Sequence, residues 1–280
     1  MDKTEVDDPR NGAAIPPHDL RPWVSGFVGR AVWDKSAQYH IFPNARTELF
    51  FNFGEHATSQ SLENPYVPLG VATVFGPRYG PYFHAAGAVT DWFLIQLTPL
   101  GVRAAIGCPT AVLPNADIPL TDARPNPDSL IEKLANAHTF GDRCGIATDW
   151  MRAVVRDHLA RAGNTRLSQV AESIRHGTLE TLGISEELGL TDRQARHNFR
   201  SEMGISPKTF QMLFRVERAW ANLYAGIPRN LCAEGYADDS HLSRDFVRFT
   251  GIRPSDYLTA KRAGDRLING VTVYRTDIIF

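Results

Sequence analysis

The sequence predicts an α+β protein: a small β-barrel or sandwich with following helices, then an all-α double helix-turn-helix domain. Three observations carry this. Between Trp23 and about Thr98, short aromatic and β-branched runs are separated by Gly, Pro and Asn punctuation. From Leu167 to about Tyr257 the texture is helix and short turns. Within that helical part, one segment occurs twice at a constant offset. At 280 residues and 43% hydrophobic content, the chain can bury sizeable cores and suits about two domains. The expected division is a tail over residues 1–20, a β-rich sensing or dimerisation domain with a helical coupling layer over 21–163, the helical domain over 164–260, and a C-terminal extension over 261–280.

The tail is polar and acidic, without the apolar core of a secretory signal. Next, ELFFNFG (Glu48–Gly54), YVPLGVATVFG (Tyr66–Gly76) and DWFLIQLTP (Asp91–Pro99) read as strands. Strands in series without intervening helices suit a barrel or sandwich. PLGVRAAIGCP (Pro99–Pro109) reads as a brief helix closed by Gly107 and Pro109. Two helices follow, one capped by Asp128 or Ser129, the other placing Trp150, Val154, Val155 and Leu159 at helical spacing. RAGNTR (Arg161–Arg166) reads as a linker. The extension, LINGVTVYRTDIIF (Leu267–Phe280), alternates like a strand and has the N-terminal sheet or a partner subunit as its docking choices.

The repeated segment is GLTDRQARHNFRSEMGISP (Gly189–Pro207), answered by GYADDSHLSRDFVRFTGIRP (Gly235–Pro254). Phe199 and Phe246, Gly204 and Gly251, and Pro207 and Pro254 are each 47 apart. In the first copy Thr191 and Gln194 form a capping box; Ala195, Phe199 and Met203 share one face. In the second, Asp238 is the cap, and Leu242, Phe246 and Phe249 form the buried face. Upstream, Leu182, Ile184 and Leu188 belong to a supporting helix, so the first copy follows the helix-turn-helix plan. Between the copies, Ser206 caps and Pro207 opens a long connecting helix with Phe210, Leu213, Val216 or Glu217, Ala219 or Trp220, and Leu223 at helical spacing. A rigid connection holds the two second helices at fixed separation. Were it near one turn of B-DNA, about 34 Å, both would enter successive major grooves.

LTDRQARHNF…GISP, RVERAWANL and GYADDSHLSRDFVRFTGIRPSDY resemble the DNA-binding domain of AraC/XylS-type transcription regulators over about 95 residues, Thr165 to Tyr257. FPNARTELFFNFG and LTPLGVRAAIGCP resemble, more faintly, the β-rich sensory domain often fused ahead of it. The resemblance implies a sequence-specific regulator of transcription, activator or repressor, modulated by a small-molecule effector in the N-terminal barrel. It implies double-stranded DNA as partner, with RNA polymerase and a second copy of the chain as further ones. Carried over by position, Arg193, Arg196 and His197 face the bases in the first recognition helix, with Arg200 near a phosphate. Asp239, Ser240, His241, Ser243 and Arg244 do so in the second, with Arg248 flanking. The chemistry suits these roles: Arg takes guanine O6 and N7 with two bonds, while Ser and His make single polar contacts. Three positions depart from the family: Ala195 replaces its usual Leu, His197 its usual Arg, and the support of the second unit (Ala225–Tyr236) is short and holds Pro228.

Charge does not announce the partner. The formal net charge is −1, about −3 before residue 164 and about +2 after it, so a DNA face requires its cations to be concentrated. Trp33, Tyr39, Phe51 and Trp92 are candidates for an apolar ligand wall. No cofactor, metal site or catalytic group is expected: the histidines lack metal-ligand spacing, and no nucleophile–base motif is present. Three scattered cysteines suit a reducing, cytoplasmic setting, and no apolar run is long enough to span a membrane. The alternative reading is a ligand-binding or enzymatic barrel whose helical half is a dimerisation or partner module. It gains if acidic residues such as Glu202 and Asp245 interrupt the strip formed by Arg193, Arg196, Arg200, Arg244 and Arg248.

Overall fold

The computed structural model describes residues 8–33, 37–41, 46–55, 57–61, 67–80, 82–87, 89–160, 166–175, 181–225, 235–262, 267–268 and 271–274. Among these residues, the N-terminal half is built on two six-stranded sheets. The first runs β1 (Gly12–Ala14), β2 (Val24–Trp33), β9 (Val89–Leu97), β4 (Thr47–Asn52), β7 (Ala72–Phe75), β10 (Asp117–Pro119). The second runs β11 (Leu267–Ile268), β12 (Val271–Tyr274), β3 (Ala37–Ile41), β8 (Tyr82–Ala86), β5 (Ala57–Ser61), β6 (Val67–Pro68). This is the sandwich form of the expectation: the strands stay in two sheets and do not close into one barrel. Every pairing among the described residues is antiparallel except β12 on β3, where Val273 lies opposite His40. The C-terminal extension therefore returns to the N-terminal half and extends its second sheet.

Period-two alternation gives the first sheet two different faces. Val74, Leu49, Ile95 and Phe27 form one cross-strand row, and Ala72, Phe51 and Phe93 another. These rows meet a helical layer of α1 (Pro99–Ile106), α2 (Leu120–Ala123), α3 (Asp128–Ala135) and α4 (Phe140–Leu159) in one core. The opposite face carries Val28, Phe50, Phe75 and Leu94, a smaller apolar cluster with Trp92 against it. The helices start as their sequences dictate. Thr98 Oγ1 accepts from Gly101 N at 3.1 Å, and Thr139 Oγ1 from Asp142 N at 3.1 Å.

The C-terminal half comprises α5 (Arg166–Arg175), α6 (Ile184–Leu188), α7 (Asp192–Met203), α8 (Pro207–Ala225), α9 (Asp239–Thr250) and α10 (Pro254–Arg262). A 3-10 turn, Thr181–Gly183, precedes α6. Arg166, read as linker, already belongs to α5; the rest of that linker lies outside the described residues. Phe199, Phe246 and Phe249 are fully buried with Phe210, Leu213 and Trp220 of α8, so one helix supplies the core of both units. Each buried phenylalanine contributes on the order of 2–3 kcal/mol. Ala195 is buried in this same cluster.

Candidate functional site

The duplication is structural. Both α7 and α9 are 12 residues long, with N-caps at Thr191 and Asp238 and left-handed C-caps at Gly204 (φ 79°) and Gly251 (φ 75°), each 47 apart. Thr191 and Gln194 form the capping box, and Asp238 Oδ1 accepts from His241 N at 2.7 Å. Only glycine enters the left-handed region without strain, so both helices stop at the same register.

On α7, Arg193, Arg196, His197 and Arg200 are all exposed. On α9, Asp239, Ser240, Arg244 and Arg248 are exposed, and Ser243 is half-buried. His241 is drawn inward: its ring meets the Tyr236 ring edge-on at 5.2 Å, and Nε2 lies 3.7 Å from Asp245. Arg244 Nε donates to Ser240 O of its own helix at 3.2 Å. The support of the second unit, Pro228 included, lies largely outside the described residues.

Glu202 and Asp245 decide the charge of the strip. Both are buried, at 7% exposure. Glu202 accepts from Arg103 of α1, Nε lying 2.5 Å from Oε1 and Nη2 on Oε2. Asp245 turns toward Arg215 of α8 (3.9 Å) and His241. Neither carboxylate interrupts the arginines. In the sequence Glu202 threatens the strip, yet its position three residues after buried Phe199 is the signal that it faces inward.

The first unit is also keyed to the sheet domain. Besides Arg103–Glu202, the Tyr79 hydroxyl donates to Met203 O at 3.1 Å, and Arg46 at the head of β4 forms a buried ion pair with Glu217 of α8. Burial raises the Tyr79 phenol above its ordinary range, so it serves as a neutral donor.

Arg46, two residues before Glu48, stands at the layer where the two sheets meet, a chamber in which Tyr82 and His84 of β8 contact Asp117 and Phe75 of the first sheet. One cross-strand row there reads Asp117, Phe75, Glu48, Gln96. Gln96 Nε2 donates to Glu48 Oε1 at 3.0 Å, and Tyr82 of the second sheet donates to Asp117 Oδ2 at 2.5 Å. Arg78 pairs with Asp117 and stacks over the Tyr82 ring at 3.9 Å. Trp92, with Phe50 at 6.3 Å, faces this chamber. Phe51 does not: it points the other way, into the helix-facing core. The side chain of Tyr39 lies outside the described residues, and Trp33, backbone-paired in β2, likewise has no described side chain.

His84 sits in the chamber against Phe75 (5.0 Å) and Phe50 (6.1 Å). Burial, with Arg78 adding repulsion, depresses its pKa from 6.5 to about 3. Below pH 6.5 the unfolded chain gains a proton that the folded chain refuses until about pH 3. Stability is therefore expected to fall with pH across that window, by up to about 1.4 kcal/mol per pH unit from this group. His84→Phe should flatten that limb when urea midpoints are followed from pH 7 to pH 4. An unchanged slope would mean that His84 is not held neutral.

The helix-turn-helix domain family matches residues 184–260. No curated protein matches the chain in sequence. Among solved structures, ToxT from Vibrio cholerae is similar: its P21 form at 11% identity, covering 83% of this chain and 98% of that one, TM-score 0.46. ToxT from strain O395 gives 12% identity, 83% and 97% coverage and a TM-score of 0.47. ToxT bound to an unsaturated fatty acid gives 12% identity, 88% and 97% coverage and a TM-score of 0.44. The duplicated capped helices and the family match together make residues 184–260 a helix-turn-helix domain of the AraC type.

Proposed function

We propose that the protein is a cytoplasmic, sequence-specific DNA-binding regulator of transcription, modulated by a small molecule held between its sheets. The observation that carries the DNA reading is the inward turn of Glu202 and Asp245, which leaves Arg193, Arg196, Arg200, Arg244 and Arg248 exposed without acidic interruption from either residue. Paired helices of this kind present side chains to base edges, and their capped N-termini direct N–H groups at phosphates. Within this reading, Arg193, Arg196 and His197 read bases and Arg200 grips a phosphate. Ser240, Ser243 and Arg244 do the reading in the second unit, with Arg248 flanking. Asp239 stands at the entry to that helix, and His241 acts from its contact with Asp245 and Tyr236. RNA polymerase and a second copy of the chain are the partners proposed for the regulator.

The effector reading rests on the chamber, where an apolar floor of Phe50, Phe75 and Leu94 ends in a buried polar cluster. Seams from that cluster and from α1 to α7 and α8 give its contents a route to the recognition helices.

In-vitro selection of DNA by the purified full-length chain, with and without a metabolite library, tests the proposal. A preferred site of two half-sites about one helical turn apart is the expected result. Recovery of no preferred sequence under any condition would return the chain to the alternative of a ligand-binding or enzymatic barrel with a helical partner module.

A further inference from the structure

The polar end of the chamber is unusual in what it leaves unanswered. Arg78 Nη1, Gln96 Oε1, His84 Nε2 and Glu217 Oε2 are buried atoms with no hydrogen-bond partner among the described residues. Arg78, Gln96 and Glu217 are each at least 95% buried as whole residues. They lie along one row of the sheet: Arg78 and His84 pack on the Phe75 ring at 5.5 and 5.0 Å, Glu48 is opposite Phe75 and accepts from Gln96 at 3.0 Å, and Glu217 is paired with Arg46, two residues before Glu48. A buried polar atom without a partner costs about 1–3 kcal/mol, so four in one neighbourhood mark a place built to receive polar groups.

We propose that this cluster, Arg78, Gln96 and His84 of the sheet domain with Glu217 of α8, binds the head of an uncharged amphiphile that carries hydrogen-bond donors as well as an acceptor, of which a primary carboxamide is the simplest. The inference rests on the effector reading above and specifies its ligand chemistry.

Charge balance excludes an anionic head. Arg46 is paired with Glu217 and Arg78 with Asp117, so the two guanidiniums are already neutralised. Burial raises the Glu48 carboxyl, favouring its neutral form, and keeps the His84 imidazole uncharged. A carboxylate brings acceptors only, and would confront the acceptors Gln96 Oε1 and Glu217 Oε2. A carboxamide fits: its carbonyl takes the Arg78 Nη1 proton, and its two N–H groups answer Gln96 Oε1 and Glu217 Oε2. His84 Nε2 accepts or donates according to tautomer. The apolar body of the ligand lies on Phe50, Phe75 and Leu94. Glu217 belongs to the helix that supplies the core of both recognition units, so the DNA-binding domain itself touches the head group.

The test is calorimetric titration of the full chain with 3-phenylpropanamide and with 3-phenylpropanoate, which share a body and differ in the head. The amide is expected to bind at least tenfold more tightly, and Gln96→Met to weaken it at least fivefold. Should Gln96→Met fail to fold, the amide–carboxylate ratio on the unaltered protein decides alone. Equal or tighter binding of the carboxylate, binding of neither, or an amide affinity untouched in folded Gln96→Met overturns the proposal. A chain that selects a DNA site yet ignores the amide loses this inference only. One that binds the amide yet selects no DNA loses the regulator reading only.

Discussion

Arg196→Ala is expected to weaken binding to the selected DNA site by about 1–3 kcal/mol, roughly five- to 150-fold, and to relax the preference at one base position. Arg200→Ala is expected to behave differently: a similar weakening on every sequence, with the slope of log K against log salt reduced by about 1. The contrast follows from position. Both side chains are exposed on α7, but Arg196 lies one turn from the capped N-terminus at Thr191 and Arg200 lies in the turn before the Gly204 stop. The N-terminal part of a recognition helix faces base edges, and its far end approaches the backbone. A guanidinium on guanine O6 and N7 discriminates among bases; one on a phosphate does not. Anisotropy titrations of both variants on the selected site and on a scrambled duplex, at three salt concentrations, separate the two. Equal losses for Arg196→Ala on both duplexes would remove it from the base-reading set.

The two α7 variants also bear on what the sequence could reveal. Caps and stops are local chemistry, so Thr191, Asp238, Gly204 and Gly251 mark the limits of both recognition helices in the sequence itself. The 47-residue offset is likewise a property of the chain alone, and the helices reproduce it at both ends. The strands at Glu48–Gly54 and Asp91–Pro99 were legible from composition, but their facing was not. Phe50 and Phe51 are adjacent aromatics on opposite faces, and only the cross-strand register, with Phe51 opposite Phe93 and Phe50 opposite Leu94, assigns Phe51 to the helix-packed core. The sheet domain's hold on the first unit was invisible for the same reason. Arg103 and Glu202 are 99 residues apart, Arg46 and Glu217 are 171 apart, and nothing local in either partner names the other. The return of the C-terminal extension to β3 is a pairing of this kind too: alternation declared a strand, and only the fold supplied its neighbour.

Asp91→Ala is expected to cost about 3–5 kcal/mol, the largest single loss in the sheet domain. Asp91 accepts from Arg143 Nη1 at 2.6 Å and Nη2 at 3.1 Å, and from Arg10 Nη1 at 2.8 Å. Arg143 is the more exacting partner. It is 1% exposed, its guanidinium lies 4.8 Å from the centre of the Phe53 ring, and its Nε donates to Leu134 O at 3.2 Å. Removing the carboxylate strips that buried cation of its counter-charge, whereas Arg10 keeps Asp8 as a second partner at 2.7 Å. Arg143→Met should therefore cost less than Asp91→Ala, because it removes the desolvated charge together with its bonds. The double variant should cost less than the two single losses added, since the second change removes the charge that the first stranded. Urea unfolding of the three variants, followed by the near-ultraviolet signal of the sheet-domain aromatics, gives the comparison. If Arg143→Met proved as costly as Asp91→Ala, the packing of the guanidinium on Phe53 and Leu134, and not its charge, would be what ties α4 to β9. The pair also governs what sits on the far side of β9. Trp92, Leu94 and Gln96 line the chamber from the same strand that Asp91 anchors to α4, so a loosened Asp91 should weaken ligand binding before it weakens DNA binding. The reverse order would detach the chamber from the helical layer that holds it.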